Sequence, residues 1–285
     1  MSVALARDAE RVAAGLPALV LAAERIAAGV RIGPHGRRRA GSGFSFWQSR
    51  PLSPHEPARR IDWRLSARTG RPFVRETEWE AAQTVGLWHA TDAGMDWTGD
   101  GGRTTKRDRA ALLTLALAAL LLRGGERVRL LGSDAPPVAT RLDAVAHAMA
   151  ELPAETVPLP QRLPRHGRAV LVGDWLGPVE DTAALLRAFA ARPVGGVLVQ
   201  VLDPAELAFG YSGRVRFSAP AGGEALVIER AEEARERYGA RLAAHRAAIE
   251  AACRSAGWFY RLHVTDQPAQ AALLSLWATL AGEFA

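Results

Sequence analysis

The sequence predicts an α/β fold, a Rossmann-like domain of three layers in which helices cover both faces of a mostly parallel sheet. From residue 82 onward, short apolar runs alternate with longer segments whose apolar residues recur at helical spacing. Three of the apolar runs are each followed by an aspartate, at Asp92, Asp174 and Asp203. Strands and helices that alternate at these lengths form parallel βαβ units, whose ligands bind beyond the carboxyl ends of the strands.

The elements follow in order along the chain. The predicted strands of the sheet lie at residues 85–90, 127–131, 169–172, 197–202 and 258–264. The predicted helices lie at about 107–122, 142–152, 180–191, 231–256 and 268–281. Two short arms, at 215–217 and 225–228, predict a hairpin-like excursion before the helix at 231–256.

An Arg-rich N-terminal segment precedes this domain. Positions 3–28 have helical spacing, and a Gly- and Arg-rich stretch at 29–43 predicts a loop or hairpin. Aromatic residues and arginines mix over 44–80, and the pattern changes to alternating strands and helices after residue 80. We therefore predict two parts, residues 1–80 and residues 81–285.

Positive charge is concentrated in residues 31–75. This stretch contains eleven arginines against Glu56 and Asp62, although the whole chain has a net charge of only +6. Such a basic segment suits a nucleic acid, an acidic lipid surface or an acidic protein.

The usual catalytic motifs are missing from the sequence. Lys106 follows a glycine-rich stretch, but the residue directly before it is not glycine and the residue directly after it is Arg107 rather than serine or threonine. The phosphate-binding loop pattern therefore fails. No GxGxxG follows the first predicted strand, and no serine stands in a GxSxG turn. The seven histidines have no metal-ligand spacing, and Cys253 has no neighbours typical of a nucleophile. We therefore expect a protein that is not an enzyme.

The N-terminal sequence and the apolar runs bear on location. Asp8, Glu10 and Arg11 stand where a secretory signal would be apolar. The apolar run at 112–122 is shorter than the roughly 20 residues that a membrane span needs. We therefore expect a cytoplasmic protein without a membrane span.

A long motif in the basic segment resembles that of a known family. Positions 59–68 read RRIDWRLSAR and positions 74–76 read VRE. This resembles the signature of the bacterial domain of unknown function 58 family, roughly R-x-I-D-W-R-x-S-A-R, and the run QVLDPAEL at 200–207 also resembles a stretch of that family. The residues to which we assign a structural or motif role are Arg50, Arg60, Asp62, Trp63, Arg64, Ser66, Arg68 and Glu76.

The resemblance implies a von Willebrand factor A-like domain. The metal-ion-dependent adhesion site of such domains uses Asp-x-Ser-x-Ser after the first strand, a threonine from another loop and a later aspartate, and an acidic group of the partner completes the metal's coordination. Family members are commonly encoded beside MoxR-type AAA+ ATPases. The resemblance therefore implies an adaptor or co-chaperone that works with such an ATPase.

The metal loop departs from that pattern. It reads DAGMD from Asp92 to Asp96, so both serines are replaced, and Asp96 adds a charge where the family has a hydroxyl. Asp174 matches the later aspartate, and either Thr140 or Thr104 would supply the threonine. The candidate ligands of this degenerate site are Asp92, Asp96, Asp174 and Thr140. Carboxylates suit Mg²⁺, so we expect at most weak Mg²⁺ binding, with helix capping as the alternative role of these aspartates.

Three functions compete at this stage. The leading hypothesis is a non-enzymatic protein-interaction domain that works with a MoxR-type AAA+ ATPase. The alternative is a nucleic-acid-binding protein that uses the basic segment 31–75, where arginines would neutralise phosphates and aromatic residues would stack on bases. A divalent-dependent hydrolase ranks third, because it would rest on the aspartates alone.

Overall fold

The computed structural model of the chain describes residues 21, 23–28, 40–53, 57, 61–78, 83–132, 138–218 and 225–284. The chain divides into two compact units. The larger comprises Met1–Ile32 and Thr84–Leu280, and the smaller comprises Gly33–Gln83 and Ala281–Ala285. Of the predicted N-terminal helix at 3–28, only positions 21 and 23–28 fall among the described residues, and they are helical.

The smaller unit contains an antiparallel pair of strands, β1 (Ala40–Pro51) and β2 (Phe73–Glu78), joined through helix α1 (Trp63–Thr69). The middle of the family motif forms α1. Asp62 caps this helix, since its side chain accepts a hydrogen bond from the N–H of Leu65 at 3.1 Å. Gly70 ends it in the left-handed conformation, with a φ of 68°.

The larger unit is built around a five-stranded sheet in the order β4-β3-β5-β6-β9, with every neighbouring pair parallel. The strands are β3 (Thr84–His89), β4 (Arg127–Leu130), β5 (Arg168–Gly173), β6 (Gly195–Leu202) and β9 (Trp258–Val264). The helices are α2 (Lys106–Arg123), α3 (Leu142–Ala150), α4 (Val179–Ala190), the short α5 (Pro204–Ala208), α6 (Ala231–Ser255) and α7 (Ala269–Phe284).

The core lies on both faces of this sheet. β5 and β6 are buried at consecutive positions, which requires helices on both sides because alternate side chains of a strand point to opposite faces. Helix α2 packs with α3, while α4 packs with α6. The apolar run of α2 is buried around most of its circumference. The predicted α/β architecture of three layers with a mostly parallel sheet is confirmed.

A two-stranded excursion follows β6 and α5. Its arms are the antiparallel strands β7 (Val215–Phe217) and β8 (Leu226–Ile228), which match the predicted hairpin. Leu226 and Val227 are exposed, although both are apolar. No helix within the described residues is long and apolar enough to cross a membrane.

Two buried histidines make stability depend on pH. Burial lowers the pKa of His89 to about 4, although a hydrogen bond with the Ala90 carbonyl opposes this shift. Burial and the positive charge of Arg109 lower the pKa of His263 to about 4. Between pH 6.5 and 4 the unfolded chain therefore binds more protons than the folded one, so stability falls as pH falls. Each histidine should remove up to about 3 kcal/mol by pH 4.

Urea unfolding at pH 7, 6 and 5 measures this effect. We expect His263→Asn to be less stable than the wild type at pH 7 but to lose less stability on acidification. An unchanged pH slope in this variant would rule out His263 as a source of the dependence.

Candidate functional site

The loop after β3 begins at Asp92. Its Oδ1 accepts a hydrogen bond from the backbone N–H of Gly94 at 2.9 Å, so Asp92 caps the short 3₁₀ turn Ala93–Met95. A Cβ placed on Gly94 would lie 2.9 Å from Asp92 Oδ1 and 3.6 Å from Asp174 Oδ2. Asp92 and Asp174 therefore approach the same small space, as the positions of their strands predict.

Asp174 follows β5 directly but does not cap the next helix, whose N-cap is Pro178 without a side-chain hydrogen bond. Its Oδ1 accepts a hydrogen bond from the N–H of Leu176 at 3.3 Å. Its Oδ2 lies 2.8 Å from Nζ of Lys106, and the same Nζ lies 2.7 Å from Oε1 of Glu206. One ammonium group thus bridges two carboxylates, that of Asp174 directly after β5 and that of Glu206 in α5.

Lys106 is the first residue of helix α2, and its side chain is only 2% exposed. The positive end of the helix dipole disfavours a cation at a helix N-terminus. The negative charge that stabilises the ammonium of Lys106 therefore comes from the two carboxylates. Burial by itself would lower the pKa of Lys106, but Asp174 and Glu206 outweigh it and raise the pKa above its ordinary value. The ring of Trp97 lies 5.8 Å from Nζ. Lys106 is therefore a buried cation at neutral pH.

A second group of contacts fixes Glu206. Its Oε2 accepts the backbone N–H of Asp203 at 2.8 Å, while Asp203 Oδ1 accepts the N–H of Ala205 at 2.9 Å, which forms a capping box at α5. Asp203 is fully buried, and its Oδ2 also accepts hydrogen bonds from the hydroxyls of Thr98 and Thr265. The end of β6 is thereby tied to two other loops.

Asp96 points to a different partner. Its Oδ1 lies 2.8 Å from Nε of Arg107, and the Asp96 side chain is 54% exposed. Arg107 also donates through Nη2 to the carbonyls of Thr91 at 2.7 Å and Asp92 at 3.0 Å. This guanidinium holds the loop after β3 against the start of α2.

These contacts test whether the site fits the divalent cation of an adhesion site. Asp96 is paired with Arg107, Asp92 is engaged in capping, and the ammonium of Lys106 already stands against Asp174. Within the described residues, no group of three histidine, cysteine, aspartate or glutamate side chains is placed to hold a metal ion. The donor set does not fit Mg²⁺ without displacing Lys106.

The two candidate threonines lie outside this cluster of contacts. Thr140 and Thr104 are both exposed, and neither forms a hydrogen bond with Asp92 or Asp174 in the part of the chain that the structure describes. Metal binding by Asp92, Asp96, Asp174 and Thr140 stays a prediction.

The motif residues of the smaller unit serve its local structure where their side chains are described. Ser66 Oγ accepts the backbone N–H of Phe73 at 2.9 Å, which links α1 to β2. Trp63, with 68% of its surface exposed, and the exposed Arg64 and Arg68 lie on the outside of this unit.

Three other members of the motif set remain. Arg50 donates to the carbonyl of Pro51 at 3.1 Å and to Oγ of Ser53 at 3.3 Å. Arg60 and the side chain of Glu76 lie outside the described residues. Much of the basic segment 31–75 does so as well, and the nucleic-acid alternative remains only a prediction.

Sequence reasoning missed Lys106 and Glu206 as partners of Asp174. One signal was available in the sequence, because Lys106 is the single lysine among 36 lysine and arginine residues. A lysine has a compact ammonium that fits between two carboxylates, whereas a guanidinium is broad and planar. Sequence spacing could not reveal the partners.

Gly99 allows the Thr98 loop to approach α5. A Cβ placed there would lie 2.3 Å from Cβ of Ala205 and 2.9 Å from Oδ1 of Asp203, whereas one at Gly101 would meet nothing within 4 Å. We expect Gly99→Ala to destabilise the protein by about 1–3 kcal/mol, because neither neighbour is a flexible side-chain end. Thermal unfolding of Gly99→Ala beside Gly101→Ala measures the difference, and equal melting temperatures would contradict the close approach.

Fold and site together define an α/β domain with a group of charged side chains at the carboxyl ends of its parallel strands. The model of the family described as protein of unknown function DUF58 matches residues 48–248. The chain belongs to this family, and the resemblance drawn from the motif at 59–68 is confirmed.

Curated relatives and solved structures are also similar to this chain. Uncharacterized proteins of Mycobacterium bovis and Mycobacterium tuberculosis are 27% identical over 269 residues, covering 88% of this chain and 84% of theirs. BatB of Bacteroides thetaiotaomicron has 11% identity and a TM-score of 0.43, covering 70% of this chain and 100% of that one. The SpRpn10 VWA domain has 12% identity and a TM-score of 0.35, covering 68% and 94%.

Proposed function

We propose that this protein is a non-enzymatic interaction domain that acts as an adaptor for a MoxR-type AAA+ ATPase, and that its strand-end site works with a lysine in place of a divalent metal. The observation that carries the proposal is the ammonium of Lys106, held at 2.8 Å from Asp174 and 2.7 Å from Glu206. The class of partner comes from the family, whose members are commonly encoded beside such ATPases.

The state of the polar groups supports a binding role over a catalytic one. The carboxylates of Asp174 and Glu206 are both paired with the one ammonium of Lys106, and Asp96 is paired with Arg107, so each is engaged in an ion pair. Burial raises the pKa of Cys253 to about 12, so this side chain is a thiol at neutral pH and a poor nucleophile.

Affinity purification from native cells, followed by mass spectrometry, tests the proposed partner. We expect the wild type to retain a MoxR-type ATPase and Asp96→Arg to retain less of it, because Asp96 is the exposed acid of the site. Asp143→Arg is the matched control, since Asp143 is 64% exposed and also pairs with an arginine, but on α3. Equal loss in both variants, or no ATPase with the wild type, would contradict the proposal.

Calorimetric titration with Mg²⁺ and Mn²⁺ tests the metal-free site. We expect negligible heats for the wild type and for Asp92→Ala alike, because Lys106 supplies the positive charge. A binding heat in the wild type that Asp92→Ala abolishes would show a working metal site and would overturn this part of the proposal.

A further inference from the structure

A cavity of about 530 Å³ opens beside the candidate site, between α5, the β7–β8 excursion and the first half of α6. This volume lies in the range of roughly 300–1,000 Å³ that is usual for sites of bound groups. The described lining is mainly apolar, and two of its members, Trp97 and Glu206, also contact the buried ammonium of Lys106.

Aromatic side chains form a connected wall of this cavity. Phe209 stacks on Tyr238 with ring centroids 4.5 Å apart and on Phe217 at 5.7 Å. Tyr211 meets the edges of Phe209 and Phe217 at 5.3 Å and 5.2 Å. Rings that hold one another in this way are fixed before anything binds, so an incoming apolar group loses little to rearrangement of the wall.

The backbone around this wall is also fixed. Phe209 ends α5 with a φ of 43°, a left-handed conformation that is costly for a residue with a side chain. Arg235 of α6 donates through Nε to the Phe209 carbonyl at 3.0 Å and so holds the turn in place. Strain that neighbouring contacts maintain in this way marks a turn built to present its side chain.

The rim of the cavity is basic and apolar. Arg237 and Arg241 are exposed on successive turns of α6, and neither forms an ion pair within the described part of the chain. On β8, Leu226 lines the cavity and is 62% exposed. The cavity therefore combines an exposed apolar side chain on β8 with two guanidinium groups on α6.

We infer that this cavity binds an extended peptide segment of a partner protein, in which a large apolar side chain lies within a few residues of aspartates or glutamates. The apolar side chain would enter between the aromatic wall and Leu226, and the carboxylates would pair with Arg237 and Arg241. Guanidinium groups one helical turn apart suit acids that are spaced along a peptide. This inference rests on the proposed function, for which it names the binding chemistry.

Selection from a displayed library of random dodecapeptides tests the inference on the full chain. We expect the enriched peptides to combine an aromatic or large aliphatic residue with nearby acids. A synthetic, fluorescein-labelled copy of the most enriched peptide is then titrated by fluorescence anisotropy. Arg237→Glu combined with Arg241→Glu should weaken its binding by at least about tenfold, or about 1.4 kcal/mol.

Two further variants complete the experiment. Ala234→Trp fills the cavity from α6 and should weaken the same peptide while circular dichroism shows an unchanged fold. Arg165→Glu combined with Arg254→Glu makes the same change in net charge on exposed arginines outside the cavity and should leave affinity within about twofold. Basic enriched peptides, no enrichment, or equal weakening by both double variants would overturn the inference.

The outcome is separable from that of the proposed function. Peptide selection and anisotropy decide the cavity alone, because they need no ATPase. Capture of a MoxR-type ATPase from native cells decides the partner class, whichever surface of the chain the ATPase contacts.

Discussion

Replacing Lys106 by methionine should destabilise the protein by about 3–5 kcal/mol, the largest effect that we expect of any single substitution at the candidate site. Methionine keeps much of the apolar stem but removes the ammonium, so Asp174 and Glu206, with side chains 16% and 12% exposed, lose the cation that compensates their burial. Two like charges would then face each other in a poorly hydrated space. Urea unfolding at pH 7 measures the change.

The exposed ion pair of α3 provides the control. Arg141 lies 2.7 Å from Asp143, but its side chain is 78% exposed, so Arg141→Met should cost less than about 1 kcal/mol. A Lys106→Met protein as stable as the Arg141→Met protein would mean that the buried ion pair contributes nothing.

A companion variant separates loss of charge from loss of packing. Lys106→Ala leaves a space between the two carboxylates, whose oxygens both lie within 2.8 Å of the former Nζ position. Mg²⁺ or Mn²⁺ should raise the melting temperature of this variant and leave that of the wild type unchanged, since hard divalent cations prefer carboxylate oxygens. Equal shifts in both proteins would contradict the view that Lys106 takes the place of the cation.

Replacing Asp203 by alanine should cost about 3 kcal/mol. This fully buried carboxylate accepts hydrogen bonds from the N–H of Ala205 at 2.9 Å and from the hydroxyls of Thr265 at 3.1 Å and Thr98 at 3.3 Å. Alanine leaves the N–H of Ala205 and the hydroxyl of Thr265 without this acceptor and removes the cap of α5, whereas the Thr98 hydroxyl can still donate to the Asp100 carbonyl at 3.0 Å. Each unsatisfied buried donor costs roughly 1–3 kcal/mol.

Asp203→Asn tests the same contacts with less change in shape. The asparagine amide keeps one oxygen that can accept hydrogen bonds from part of the network. The free energy of unfolding of Asp203→Asn should therefore lie between those of the wild type and Asp203→Ala. Thermal and urea unfolding measure the order of the three proteins. An alanine variant within about 0.5 kcal/mol of the wild type would show that the network is dispensable.

Periodicity and strand-end position were enough to predict the architecture. The apolar run at 169–172 and the helical pattern at 107–122 fall within β5 and α2, which differ from the prediction by only one residue at each end. Burial forces such runs to be apolar, so the pattern is visible without any knowledge of contacts. The predicted boundary between residues 80 and 81 stays a prediction.

The candidate site was only partly predictable. Asp92 and Asp174 could be brought together by the rule that parallel strands end at one edge, but Lys106 is 68 residues from Asp174 and 100 from Glu206. No local pattern specifies a contact at that separation. The aromatic cavity was hidden for the same reason, since Phe209, Phe217 and Tyr238 come from three different elements.

The contacts of Arg107 couple the position of α2 to that of the neighbouring loops. This side chain binds two carbonyls of the loop after β3 and also the carboxylate of Asp96, while the adjacent Lys106 binds Asp174 after β5 and Glu206 of α5. Two neighbouring residues at the start of one helix therefore fasten three loops. A displacement of α2 along its axis would therefore move all three loops together. A partner that binds at the start of this helix would in this way change the arrangement of the loops at the carboxyl ends of the strands.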